Sequence, residues 1–177
     1  LVRQALSRGG VLMIPSFSLE RTQELLYDLK DLIDRQHSLP RVPIFLDSPL
    51  AIDALSVYRK YPSYYDAEAA AYLRRGQDVF DFEGLVLTRT REESKRINQV
   101  LGPKIIIAGA GMMNGGRILH HALRYLSDSH STLLIVGYQA TGTLGRQILE
   151  GHSPVRVLGE SVQVRCHVYR LSAVAEP

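Results

Sequence analysis

Short runs rich in Val, Ile and Leu recur along the chain at residues 10–15, 42–46, 84–87, 104–108 and 132–136, each followed by a polar or glycine-bearing turn and then a helix-like stretch. Runs this apolar suit a sheet covered on both faces, because neither side of such a strand meets water. Strand alternating with helix predicts a parallel sheet between two helical layers, a three-layer α/β/α fold. Beyond Gly151 the pattern changes. Val155, Val157, Val162, Val164, Cys166 and Val168 alternate with polar residues across Gly159-Glu160, which predicts an antiparallel hairpin at a sheet edge.

The expected architecture is a mostly parallel, Rossmann-like sheet of about five strands plus that C-terminal hairpin, in a single domain over residues 1–177. Helix starts are marked locally. Ser48-Pro49 reads as an N-cap followed by proline at the first helical position, and Thr90 with Glu93 fits a capping box. A first helix over residues 19–36 places Leu25, Leu29 and Leu32 on one core-facing stripe, with Glu24, Asp28, Lys30 and Asp31 supplying much of its charge.

Composition narrows the class. Hydrophobic residues at 45% and charged residues at 22% exclude a disordered or collagenous chain. The 21 basic and 18 acidic residues leave a net charge of +3, which permits an anionic partner without demanding one. The lone cysteine, Cys166, cannot form an internal disulfide, which favours a reducing, cytoplasmic setting. No apolar run is long enough to cross a bilayer, so no membrane association is expected.

In a parallel α/β sheet ligands collect outside the carboxyl ends of the strands, where helix N-termini present free N–H groups. Those positions here are Ser16-Phe17-Ser18, Asp47-Ser48, Thr88-Arg89-Thr90, Gly109-Ala110-Gly111-Met112 and Gly137-Tyr138-Gln139. Small, hydroxyl and glycine residues at one edge suit phosphate oxygens, although N-capping alone also selects Ser, Thr and Asp there. Neither glycine-rich segment completes a nucleotide motif. Asn114 stands where a dinucleotide fingerprint needs its third glycine, and Thr143 where a P-loop needs its lysine. What remains is two loops able to bring backbone N–H groups near an anion, with Arg117 and Arg146 close by.

His120 and His121 are adjacent, so on a helix they diverge by about 100° and cannot share a metal as an i, i+4 pair would. One is expected partly buried, the other solvated. The remaining histidines have no acidic or cysteine partner at ligand spacing, and no metal site is expected in this chain. Tyr58, Tyr61, Tyr64, Tyr65 and Tyr72 are interleaved with Arg59, Lys60, Arg74 and Arg75. They are read as tyrosines packed on the sheet with wet hydroxyls, base stacking being the alternative.

Taken together the segments resemble a known family. The run over residues 10–26, with Pro15-Ser16-Phe17-Ser18-Leu19-Glu20-Arg21 at its centre, is similar to the opening of the β-CASP insert of metallo-β-lactamase-fold RNA-processing nucleases. Leu46-Asp47-Ser48-Pro49-Leu50-Ala51, Thr88-Arg89-Thr90-Arg91-Glu92-Glu93, Gly111-Met112-Met113-Asn114-Gly115-Gly116-Arg117 and Gly137-Tyr138-Gln139-Ala140-Thr141-Gly142-Thr143 follow in family order. The likeness covers about residues 5–170.

The resemblance implies a cap over a two-zinc site that hydrolyses RNA phosphodiesters. Zinc would belong to the metallo-β-lactamase domain of the same parent chain, whose His-x-His-x-Asp-His motif is absent from these residues, so no cofactor is expected in this chain. The expected partners are RNA and that domain. Ser16, Arg21, Ser48, Arg89, Gly111 and Arg117 are the expected cleft-lining residues, contacting phosphate or shaping loops, with no catalytic residue. Arg21 and Arg117 read equally as surface or ion-paired arginines. The family's Ser-Ala-His-Ala-Asp-like ending departs here to Ser172-Ala173-Val174-Ala175-Glu176, and valine can neither transfer a proton nor bond a phosphate. That tail is either a degenerate motif, favouring an inert RNA- or protein-binding module, or an unrelated ending. An unrelated phosphate-binding α/β domain is the remaining alternative.

Overall fold

A computed structural model describes residues 1–171. In chain order the elements are α1 (Val2–Ser7), β1 (Val11–Pro15), α2 (Arg21–Lys30), β2 (Ile44–Asp47), α3 (Pro49–Lys60), α4 (Ala67–Arg74), β3 (Leu85–Leu87), α5 (Arg91–Arg96), β4 (Lys104–Ala108), α6 (Ile118–Tyr125), β5 (Thr132–Ile135), α7 (Leu144–Leu149), β6 (Val155–Val157), β7 (Glu160–Val162) and β8 (His167–Arg170).

The main sheet has six strands in the order β3-β2-β4-β1-β5-β8, and every pairing in it is parallel. Burial follows the hydrophobic runs. All residues of β1, β2, β4 and β5 are buried, whereas β3 and β8, at the edges, are partly exposed. Successive residues of the inner strands serve opposite layers, as the pleat requires. Leu12, Ile14, Ile105 and Ile107 pack with α1–α4, and Val11, Met13, Ile106 and Ala108 pack with Ile97 after α5, with α6 and α7, and with the hairpin. The expected α/β/α sandwich is therefore present.

Two details differ from the sequence reading. The antiparallel hairpin expected across Gly159-Glu160 is present as β6 and β7, but not at the edge of the main sheet. Residues of β6 and β7 pair antiparallel in a small sheet of their own, while β8 adds a sixth parallel strand beside β5. An edge strand has one wet side, so it alternates just as a hairpin strand does. In α2 the core stripe is Thr22, Leu26 and Leu29, while Leu25, and Leu32 in the wider helical turn Asp31–Arg35 that continues α2, are only half-buried. Lys30 and Asp31 are buried rather than solvated, and each is compensated. Lys30 Nζ donates to Asp34 and to the Asp81 carbonyl, both at 2.8 Å, and Asp31 accepts from Arg35 and Gln36.

The tyrosines divide. Tyr58 and Tyr65 lie edge-on to Phe80, and Tyr72 lies edge-on to Tyr27, all against the core. Tyr61 and Tyr64 are exposed.

Candidate nucleic-acid interface

The sheet order makes an open edge. The chain leaves β1 and β2 toward the layer of α2 and α3, and leaves β3, β4 and β5 toward the layer of α5, α6 and α7. In the order β3-β2-β4-β1-β5, neighbouring strands thus send their loops to opposite faces, and the carboxyl edge is split along its length.

The loops meet in two polar clusters. In the first, Ser16 is buried and its Oγ lies 3.0 Å from the Thr22 hydroxyl, which also donates to the Phe17 carbonyl. Ser18 Oγ and Ser48 Oγ are 3.2 Å apart. Ser48 caps α3, accepting from the Ala51 N–H, with Pro49 at the first helical position. Gly111 is buried under the Phe17 ring, and a Cβ there would stand 2.7 Å from Phe17 Cδ2, so only glycine leaves room for the ring. Gln139 Nε2 donates to the Gly111 carbonyl, tying the loop after β5 to the loop after β4.

The second cluster centres on Asp47, the last residue of β2 and fully buried. One carboxylate oxygen accepts from Thr88 Oγ1 and Arg117 Nη1, each at 2.7 Å. The other accepts from Ser94 Oγ at 2.6 Å and His121 Nε2 at 2.8 Å. Burial pushes the Asp47 carboxyl up, but the four hydrogen bonds, from His121, Ser94, Thr88 and Arg117, outweigh it and hold the group at about 2. Arg117 also donates to the carbonyls of Thr88 at 2.9 Å and Arg89 at 2.7 Å, clamping the loop after β3 to the start of α6. Those bonds leave two of the five N–H groups of a guanidinium without a protein acceptor in the cluster.

The edge therefore brings Ser16, Ser48, Gly111 and Arg117 into adjoining loops. Arg89 follows on the outer side of α3, where its guanidinium pairs with Asp53 at 2.6 Å, and the Thr90–Glu93 capping box forms beside it. Arg21 stands on the other flank, paired with Glu24 at 2.7 Å, where it lines a depression with Phe17, Gly137 and Tyr138. Val174 and the rest of residues 172–177 lie outside the described residues.

His121 is the residue that sequence reasoning did not place. It is buried and paired with Asp47 from 74 positions away, while His120 is exposed. Among the described residues no group of three His, Cys, Asp or Glu side chains is placed to hold a metal. The Asp47–His121 pair does not fit one either, since both carboxylate oxygens are already saturated by donors. No helix among the described residues is long and apolar enough to cross a membrane.

Hydroxyls, glycines and arginines thus gather at the split strand-end edge, the place where parallel α/β sheets collect ligands. Comparison with known proteins makes the class specific. The Beta-Casp domain model matches residues 22–148, and the chain belongs to that family. It is 43% identical over 171 residues to Ribonuclease TTHA0252 of Thermus thermophilus, covering 97% of this chain and 39% of that protein. It is 32% identical over 162 residues to Transcription termination factor FttA of Methanosarcina mazei, covering 91% of this chain and 25% of that one. An RNase J-like protein of Methanocaldococcus jannaschii is 31% identical over 170 residues, covering 96% of this chain and 38% of its own length. The chain thus spans well under half the length of these relatives.

Proposed function

We propose that this chain is the cap domain of a zinc-dependent RNA-processing nuclease, with its strand-end edge forming one wall of the RNA cleft and a metallo-β-lactamase domain of the same polypeptide forming the other. The observation that carries the reading is the convergence of the loops after β1, β2, β3, β4 and β5 on one split edge, in a chain whose Asp47–His121 pair is unsuited to metal. The relatives' names, ribonuclease and RNase J-like protein, supply the substrate class. Zinc, held elsewhere in the polypeptide, would supply the hydrolytic chemistry.

The edge residues divide by role. Arg21 and Arg89 are the phosphate contacts. Their exposed ion pairs with Glu24 and Asp53 are weak and exchange readily for a phosphate oxygen. Ser16, Ser48 and Gly111 set the loop shapes, and Arg117 fixes two loops while offering its remaining N–H groups to the strand. The cytoplasm is the compartment in which such an enzyme would meet RNA.

The test uses the full-length protein. Cleavage of single-stranded RNA should stop on chelation and return with Zn²⁺. Arg21→Ala/Arg89→Ala should weaken RNA binding, and the salt slope of log Kd should fall by about 1.4, about 0.7 for each lost contact. Unchanged affinity and slope would refute the edge as an RNA wall. The inert binding module is favoured by one residue, Val174 in place of the family's histidine; RNA bound with normal affinity but never cut, with or without Zn²⁺, would select it.

A further inference from the structure

Behind the strand-end edge, on the layer of α5 and α6, lies a pocket of about 1020 Å³ of which the roles above use only Arg117. Its walls are two helical faces. Arg91 and Lys95 come from one, at i and i+4 of α5, and Arg117, His120 and Arg124 from the other, at i, i+3 and i+7 along α6 and its cap. Among the described residues no Asp or Glu lines it, and Arg91, Lys95 and Arg124 take part in no ion pair. Arg117 is neutralised by Asp47, but like charges at i, i+4 repel, and the unpaired Arg91, Lys95 and Arg124 facing one another favour an external anion.

We infer that this pocket binds the phosphodiester backbone of single-stranded RNA beyond the cleft, extending the track across the α5–α6 face. The inference rests on the cap-domain reading, because the pocket shares Gly115, Gly116 and Arg117 with the strand-end edge and so continues it. The lining chemistry selects backbone over bases. No Phe, Tyr or Trp among the described residues lines the pocket, so it has no stacking platform. What it offers is point charges and the Asn98 amide N–H groups, the Asn98 oxygen accepting from Tyr125 and the Ser94 hydroxyl donating to Asp47. Binding there is consequently independent of sequence and steeply dependent on salt.

The experiment measures binding of a roughly 12-nucleotide fluorescent single-stranded RNA to the full-length protein across a salt series. Arg91→Ala/Lys95→Ala is expected to weaken binding roughly tenfold and to make the salt slope shallower by about 1.4, while Arg91→Lys/Lys95→Arg keeps the wild-type slope. Arg124→Ala, on the opposite wall, should remove about 0.7 and provides a second reading should the double variant not fold. Arg21→Ala/Arg89→Ala is run in parallel. If that variant weakens binding and the pocket variants do not, the pocket inference falls and the cleft reading stands. If neither set has an effect, both fall. Micromolar binding of a nucleoside monophosphate, abolished by Arg91→Ala/Lys95→Ala, would make the occupant a free phosphate group and overturn the assignment to an RNA strand.

Discussion

Asp47→Asn probes the cluster that joins the loops after β2, β3 and β4. In the native chain the buried carboxylate is held at about 2 by four donors, against an ordinary value of 3.8. A depression of roughly two units is worth on the order of 2–3 kcal/mol at neutral pH. Breaking a buried charge pair by removing one partner costs about 3–5 kcal/mol, and Arg117 keeps two carbonyl acceptors, so the lower end applies. The expected loss is about 3 kcal/mol, and at roughly 2–4 °C per kcal/mol the Tm should fall by about 6–12 °C. Thermal melts followed by circular dichroism measure it. The pH dependence supplies an independent check. The folded pKa lies below the unfolded one, so the stabilisation is fully present above about pH 4 and is lost as pH falls toward 2. The wild type should lose stability across that window, and Asp47→Asn should lose less. An unchanged Tm, or an acid dependence identical to that of the wild type, would refute the argument that this carboxylate is charged and holds the edge together.

Gly116 has a φ of 74°, and a Cβ there would stand 2.3 Å from the Gly109 carbonyl oxygen, so Gly116→Ala should cost at least about 2 kcal/mol by denaturant melts. Thr90→Ala removes the hydroxyl half of the α5 capping box and should cost about 1 kcal/mol, far less than Asp47→Asn. Burial pushes the Cys166 thiol up to about 11, so its reaction with a thiol reagent at pH 8 should be slow in the native chain and fast in denaturant. A fast native reaction would mean the face of the sheet covering Cys166 opens readily.

Much of the fold could be read locally. The four inner strands, β1, β2, β4 and β5, are apolar apart from Asp47, Lys104 and Thr132 at their ends because both their faces are covered, and a covered strand announces itself by composition alone. The caps at Ser48 and Thr90 were legible for a similar reason, since the donors they satisfy lie within three residues. The strand-end positions could be nominated because a parallel sheet places every such loop at one edge.

The partnerships across that edge could not. Asp47 meets Thr88, Ser94, Arg117 and His121 only because β2 lies between β3 and β4 in the sheet, and no spacing along the chain encodes that adjacency. The same holds for β8, whose alternation reads as a hairpin until its register against β5 fixes it as a parallel edge strand. The sequence by itself determined which segments are buried, where helices begin and which family the chain resembles, since these depend on burial period and on contacts a few residues long. Strand order, the pairing of buried charges, and the meeting of the basic faces of α5 and α6 around one pocket were decided only by tertiary structure. They join residues far apart along the chain, through an arrangement of layers that no single segment specifies.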